Sequence, residues 1–249
     1  MKPAAFDYVR PDTVDEALLV LAETGDEARV IAGGQSLTAM LNMRLATPSV
    51  LIDISRIGDM KNVSQSNGMI DVGAGVTQAE LLGWPGLAET QPLLAQMLPW
   101  VGHYQTRQRG TVCGSIIHAD PSAELPLALA MLDGEVLVQS RRGRRVVAVR
   151  DFQAGMMTTD VAADELVTAC RFPVAAPATV SAFQEVSQRQ GDFALVAIAA
   201  IGKKDGVRLG VGGVAATPAV IDLEWLSAPA LEAALNDFAW SLEIGRAHV

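Results

Sequence analysis

The chain has 249 residues, half of them hydrophobic, enough to bury a sizeable core and too apolar to stay disordered. A formal net charge of −9 excludes the basic surface that nucleic-acid binding requires. Only two cysteines, Cys113 and Cys170, are present. That excludes an iron–sulfur cluster, which takes about four thiolates, and suits a reducing compartment.

The N-terminus lacks the apolar stretch and cleavage site of a secretory leader, and no run approaches the ~18 apolar residues of a membrane span. A soluble, cytoplasmic protein is expected. Thr13-Val14-Asp15-Glu16 has the form of a capping box, and Val14, Leu18 and Leu21 recur at helical spacing up to Gly25. A strand over 28–32 then ends in Gly33-Gly34, a helix runs over 37–45, and a strand follows over 50–54. From residue 69 the pattern is strand-rich, interrupted by helices near 78–82 and 93–98. The stretch 109–124 carries glycines, and a helix over 125–131 follows it. Strands 135–138 and 145–149 flank the run Arg141-Arg142-Gly143-Arg144-Arg145, which reads as a charged hairpin turn, with docking on an acidic partner as the alternative. After a strand over 166–172, residues 173–177 read as a linker. Strands over 180–187, 193–203 and 207–214 and a helix from 231 form a smaller unit. The fold class is α+β: a two-part domain over 1–173, divided into 1–56 and 57–173, then a truncated antiparallel unit over 178–243. Ile244-Gly245-Arg246-Ala247-His248-Val249 reads as a non-native tail, which removes His248 from consideration.

Two segments carry chemistry. In Ala32-Gly33-Gly34-Gln35-Ser36-Leu37, two glycines after a strand let the backbone turn with positive φ and bring its N–H groups close to a ligand. Such a nest before a helix suits a diphosphate, though an ordinary tight turn has the same sequence. It is not the GxGxxG fingerprint. Asp53 stands where that fingerprint wants an acid, but in strand-rich surroundings. In the second segment, Gly110 and Gly114 bracket Thr111, Ser115 follows, and His118, Asp120 and Glu124 supply polar groups between apolar flanks. Buried polar groups need partners, and a ligand rich in hydroxyls and ring nitrogens is one source. A capped loop with a satisfied core histidine is the other reading. His118 and Asp120 are too few for a metal site, and no nucleophile elbow surrounds Ser115. No catalytic acid, base or metal ligand is nominated.

Together these segments resemble the FAD-binding medium subunit of the carbon monoxide dehydrogenase and xanthine dehydrogenase family of molybdenum hydroxylases, with its PCMH-type flavin fold. The resemblance is carried by Ala32-Gly33-Gly34-Gln35-Ser36-Leu37 as first FAD loop and Gly110-Thr111-Val112-Cys113-Gly114-Ser115 as second. His118-Ala119-Asp120-Pro121-Ser122-Ala123-Glu124 and the run Gly212-Gly213-Val214-Ala215-Ala216-Thr217-Pro218 extend it. It implies noncovalent FAD, with Ile31, Ala32, Gly33, Gly34, Gln35, Ser36, Leu37, Thr111, Gly114 and Ser115 around the pyrophosphate and ribityl chain. It also implies His118, Asp120 and Glu124 toward the ribityl, ribose or adenine parts and Leu166 near the adenine or isoalloxazine. The sequence departs from the pattern at Cys113, where glycine is common, and at Gln184 and Glu185, where some relatives carry a lysine.

The implied role is electron transfer: 2Fe–2S clusters on a small partner subunit feed FAD, which passes electrons to an external acceptor, and molybdopterin sits on a large partner subunit. A stand-alone flavin oxidase of the same fold and a flavin-free docking scaffold are the alternatives.

Overall fold

The computed structural model describes residues 2–242. The chain begins with β1 (Asp7–Val9), α1 (Val14–Thr24), β2 (Ala28–Ile31), α2 (Leu37–Met43) and β3 (Val50–Asp53). Next come β4 (Val63–Ser66), β5 (Met69–Gly73), α3 (Gln78–Leu82), α4 (Leu87–Thr90), α5 (Pro92–Met97), α6 (Tyr104–Arg107), α7 (Val112–His118) and α8 (Glu124–Met131). They lead into β6 (Glu135–Ser140), β7 (Gly143–Ala148), α9 (Val149–Phe152), β8 (Gln153–Gly155), β9 (Thr158–Thr159) and β10 (Leu166–Pro173). The chain continues through β11 (Val180–Ser187), β12 (Ala194–Lys203), β13 (Gly206–Gly212), β14 (Ala219–Glu224) and α10 (Ala228–Ser241).

The strands form a parallel sheet in the order β1-β3-β2 and an antiparallel sheet in the order β4-β5-β10-β6-β7. A second antiparallel sheet runs β11-β12-β13-β14, and β8 pairs with β9. The expected α+β class therefore holds.

Local chemistry explains where the elements start. The Thr13 hydroxyl accepts from Glu16 N–H at 3.2 Å, and the Glu16 carboxylate accepts from Asp12 N–H at 2.8 Å, so the cap reaches back one residue beyond the box itself. Helix α1 then buries Ala17, Leu18 and Leu21. A complete capping box also starts α3, where Thr77 and Glu80 exchange bonds of 2.7 and 3.1 Å, because each side chain satisfies a donor the first turn leaves open.

The arginine run is a hairpin turn between β6 and β7, and it lies on the chain's own acids. Arg142 meets Asp164 at 2.5 Å, while Arg145 reaches Glu165 at 2.6 Å and Asp160 at 2.7 Å.

Several elements differ from the expectation. Strands β1, β4, β8, β9 and β14 are additional, and α10 starts three residues earlier than residue 231. The glycine-bearing stretch before Leu125 contains a helix, α7, whose Val112, Cys113 and Ile116 are buried; Gly114 breaks the polar–apolar rhythm that would have revealed it. Both thiols are free and buried, Cys170 on β10 and Cys113 on α7. The tail over 244–249, with His248, lies outside the described residues.

Helix α8 is apolar on every side, as a helix enclosed by neighbours must be. Leu125, Leu127, Ala128 and Leu129 are fully buried, and Leu127 and Met131 lie against β13. A Cβ added at Gly210 would sit 2.3 Å from the Met131 sulfur, so glycine there lets the helix lie directly on the sheet. The seam is reinforced by the Gly213 N–H, which donates to the Pro121 carbonyl at 2.8 Å. Arg208 adds a forked pair with Asp133.

Candidate functional site

A cleft of about 900 Å³ opens beside the parallel sheet. Its wall includes Ile31 from the end of β2, Ala32, Gly33, Gly34 and Gln35 from the turn after it, and Thr111, which caps α7. The two glycine segments meet backbone to backbone. A Cβ placed on Gly33 would lie 2.1 Å from the Arg109 carbonyl oxygen and 2.8 Å from Gly110 Cα. The two glycines of the first segment thus divide the work: Gly33 permits this approach, and Gly34, at φ +69, supplies the left-handed turn.

Among the described residues, none of the backbone N–H groups of Gly33, Gly34, Gln35, Ser36 and Leu37 finds an acceptor. Consecutive open donors at such a turn are an anion-binding concavity. Ser36 and Leu37 continue the turn into α2, where Ser36 makes no side-chain cap.

The second segment behaves differently. Thr111 is a helix cap: its hydroxyl accepts from Gly114 N–H at 3.0 Å, and Ser115 N–H returns to the Thr111 carbonyl at 3.2 Å. Val112 N–H bonds the Val76 carbonyl at 3.1 Å. These donors are already engaged, so the segment positions the floor of the cleft. Of its residues only Thr111 reaches the cleft wall; Gly114 and Ser115 do not.

His118, Asp120, Glu124 and Leu166 also lie off this cleft. His118 ends α7, and Ala119 takes a left-handed conformation at φ 50. Asp120 closes a local turn by accepting from Ser122 N–H at 2.9 Å. Leu166 is packed in the core at 2 % exposure. Glu124 opens α8 and is buried. Burial, reinforced by Glu185 and Asp120, pushes its pKa up to about 8.

The cleft adds residues that the sequence alone does not single out. Lys61 and Arg109 line it, and among the described residues neither has a salt-bridge partner. Asp53 stands on the same wall, where it accepts from the Tyr8 hydroxyl and from Ser55 N–H at 2.8 Å. Burial works against its charge, but Tyr8, Ser55 and Arg10 outweigh that, and its pKa is lowered. Tyr8 is correspondingly held above its ordinary pKa by its bond to Asp53. The spacing of Asp53 from the first glycine turn was the available signal; Lys61 and Arg109 had none, since exposed cations are common on any surface.

A cleft of this size, floored by open N–H donors and flanked by two cations, defines a site for an extended anionic ligand such as a nucleotide diphosphate. Residues 4–175 match the family described as the FAD-binding domain in molybdopterin dehydrogenase. The chain is 39% identical over 201 residues to the 6-hydroxypseudooxynicotine dehydrogenase complex subunit alpha of Paenarthrobacter nicotinovorans, covering 81% of this chain and 68% of that one. It is 35% identical to the caffeine dehydrogenase subunit beta of Pseudomonas sp. strain CBB1, covering 88% and 76% of the two chains. The structure of carbon monoxide dehydrogenase from Hydrogenophaga pseudoflava superposes with a TM-score of 0.90 at 29% identity, covering 95% of this chain and 86% of that one. The chain belongs to the family of FAD-binding domains of molybdopterin dehydrogenases. The residues present fit that cofactor: the open donors of Gly33, Gly34 and Gln35 beside Lys61 and Arg109 suit a diphosphate, and Asp53 suits hydroxyl or amino donors.

Proposed function

We propose that the chain is the FAD-binding, electron-transfer subunit of a molybdenum hydroxylase, working in the cytoplasm beside a molybdopterin-binding large subunit and a 2Fe–2S small subunit. Residues 1–173 form its FAD-binding domain, with subdomains 1–56 and 57–173, and residues 178–243 form the C-terminal unit. When bound, FAD supplies the conversion between single electrons arriving from the clusters and the pair given to an external acceptor.

The chain's own residues bind and shield. The N–H groups from Gly33 to Leu37 hold the diphosphate, and Lys61 and Arg109 neutralise it. Gly33 closes against Arg109 and Gly110, which excludes water from beneath the diphosphate. Asp53, fixed by Tyr8 and Ser55, accepts from hydroxyl or amino groups of the nucleotide half. Gln35, Thr111, Gly114 and Ser115 shape the path of the ribityl chain, and His118, Asp120, Glu124 and Leu166 complete the cofactor's surroundings beyond the cleft. No side chain here is assigned as acid or base toward a substrate.

One observation carries the reading: of five consecutive N–H groups without acceptors among the described residues, those of Gly33, Gly34 and Gln35 belong to residues lining a cleft of about 900 Å³ that two cations share. Its test is the visible absorbance of the purified chain. Flavin bands released by denaturation are expected, together with no oxidation of small substrates until the partner subunits are added. A colourless protein that does not take up FAD would leave a docking scaffold, and substrate oxidation by the chain alone would make it an oxidase.

A further inference from the structure

Lys61 comes to the cleft by way of a close approach between two backbone stretches. Met60, Lys61 and Asn62, which lead into β4, lie against the chain leaving β5. Gly73 N–H donates to the Asn62 carbonyl at 3.0 Å, and Gly75 N–H donates to the Met60 carbonyl at 2.8 Å. Lys61 N–H is itself engaged, donating to the Gly58 carbonyl at 3.0 Å, and Met60 is buried. The backbone that carries Lys61 is therefore held on both sides. Lys61 and Gly75 line the same cleft as Gly33, Gly34 and Gln35, and the Lys61 ammonium has no salt-bridge partner among the described residues.

What stands opposite the lysine decides where its ammonium goes. A Cβ on Gly75 would lie 3.1 Å from Lys61 Cγ and 3.2 Å from the Met60 carbonyl oxygen. Carbon atoms pack at about 3.5–4.0 Å, so a methyl group there overlaps the lysine stem. The Met60 oxygen cannot withdraw without giving up its bond from Gly75 N–H, which leaves the side chain to yield. The place of Cγ is set by χ1 alone, so yielding means leaving that rotamer, and the whole stem swings with it. Gly75 is not in the left-handed region. Its backbone would accept alanine, and the missing side chain matters for the lysine stem.

We propose that Gly75 is a specificity-determining position of this cleft: the space it leaves directs the Lys61 stem so that the ammonium meets the ligand's diphosphate. The cleft thereby favours a flavin dinucleotide over flavins without a diphosphate. The proposal rests on the FAD-binding reading above. A lysine ammonium is a point charge on a flexible four-carbon stem, and it selects a ligand by charge only where that stem is given one direction. Gly75 itself touches no charge. It is a positioning residue that acts through Lys61, and its whole effect disappears when Lys61 is removed.

The test is a double-mutant cycle read by flavin binding. Wild type, Gly75→Ala, Lys61→Ala and the double variant, each the full chain freed of flavin, are titrated with FAD and with riboflavin at low and high salt. Gly75→Ala is expected to weaken FAD about two- to fivefold at low ionic strength and to leave riboflavin unchanged. The deficit fades as salt rises, because it is carried by one exposed charge. In the Lys61→Ala background the same change alters FAD affinity by less than about 1.5-fold, the non-additivity expected of two substitutions acting through one side chain. Three results overturn the proposal while FAD binding stands: Gly75→Ala binding FAD as wild type does, equal losses for FAD and riboflavin, or a loss that adds in full to that of Lys61→Ala. Failure of wild type to bind FAD overturns the FAD reading and this inference together. Should Gly75→Ala not fold, melting of the double variant decides. Folding regained once the lysine stem is gone supports the contact, and a double variant that also fails to fold overturns it.

Discussion

The two glycine segments look alike in sequence and are physically opposite. The first, from Gly33 to Leu37, has backbone donors without acceptors among the described residues, and its Gly33, Gly34 and Gln35 line a cleft. The second, from Thr111 to Ser115, has three of its donors engaged: Thr111 caps α7, Gly114 and Ser115 bond back to Thr111, and Val112 bonds the Val76 carbonyl. A glycine beside a hydroxyl therefore marks either a ligand cradle or a tight helix start, and only the fate of the N–H groups separates the two. They remain mutually dependent, because the first can approach the second only through the missing Cβ of Gly33.

The sharpest way to break this arrangement is Gly33→Ala. The new methyl would be 2.1 Å from the Arg109 carbonyl oxygen, and backbone on both sides leaves nothing flexible to yield. The segments must separate, with a stability loss of about 1–3 kcal/mol or more. Flavin content after purification is expected to fall below about a tenth of wild type, since over-packing at this point also displaces the donors. Absorbance and thermal melting read the two effects. Full flavin occupancy in this variant would mean that the backbone contact is not what shapes the cleft.

How much of this was legible from sequence depended on whether a signal was local. Helix α1 was readable because Thr13 and Glu16 announce its start and Leu18 and Leu21 keep helical spacing. The first glycine turn was readable because a strand runs straight into it. Helix α7 was not, since two glycines in a short stretch imitate a loop, whereas the burial of Val112, Cys113 and Ile116 that drives the helix comes from distant sheet neighbours. Strand β14 was hidden for a similar reason: Ala219–Glu224 owes its extended form to pairing with β13. Lys61 and Arg109 were invisible as site residues, as their meaning lies in sharing a wall with Gly33.

A middle-sized effect sharpens the electrostatic half of the comparison. Lys61→Ala and Arg109→Ala each remove an exposed cation from the cleft that holds the open donors. Exposed ion pairs contribute on the order of 1 kcal/mol, so FAD affinity is expected to fall about three- to tenfold at low ionic strength. The deficit should shrink as salt rises, because screening removes most of what the cations contributed. Riboflavin, which lacks the diphosphate, should bind both variants as well as it binds wild type. Equal losses for riboflavin and FAD would place these cations away from the diphosphate.

The smallest expected effect tests the other segment. Thr111→Ala removes the cap on α7, and such a loss amounts to about 1 kcal/mol of stability. If the segment supports the cleft without supplying backbone donors to the ligand, thermal stability falls while FAD affinity changes by less than about twofold, because the Gly33 to Leu37 donors stay in place. Should Thr111 be a ligand donor as well as the cap, affinity falls together with the melting temperature. Thr111→Ser separates the two further, since serine caps as threonine does. It should restore stability in either case, and affinity only if the hydroxyl itself reaches the cofactor, so the pair of variants assigns the second glycine segment to scaffold or to ligand contact from two measurements on the same protein.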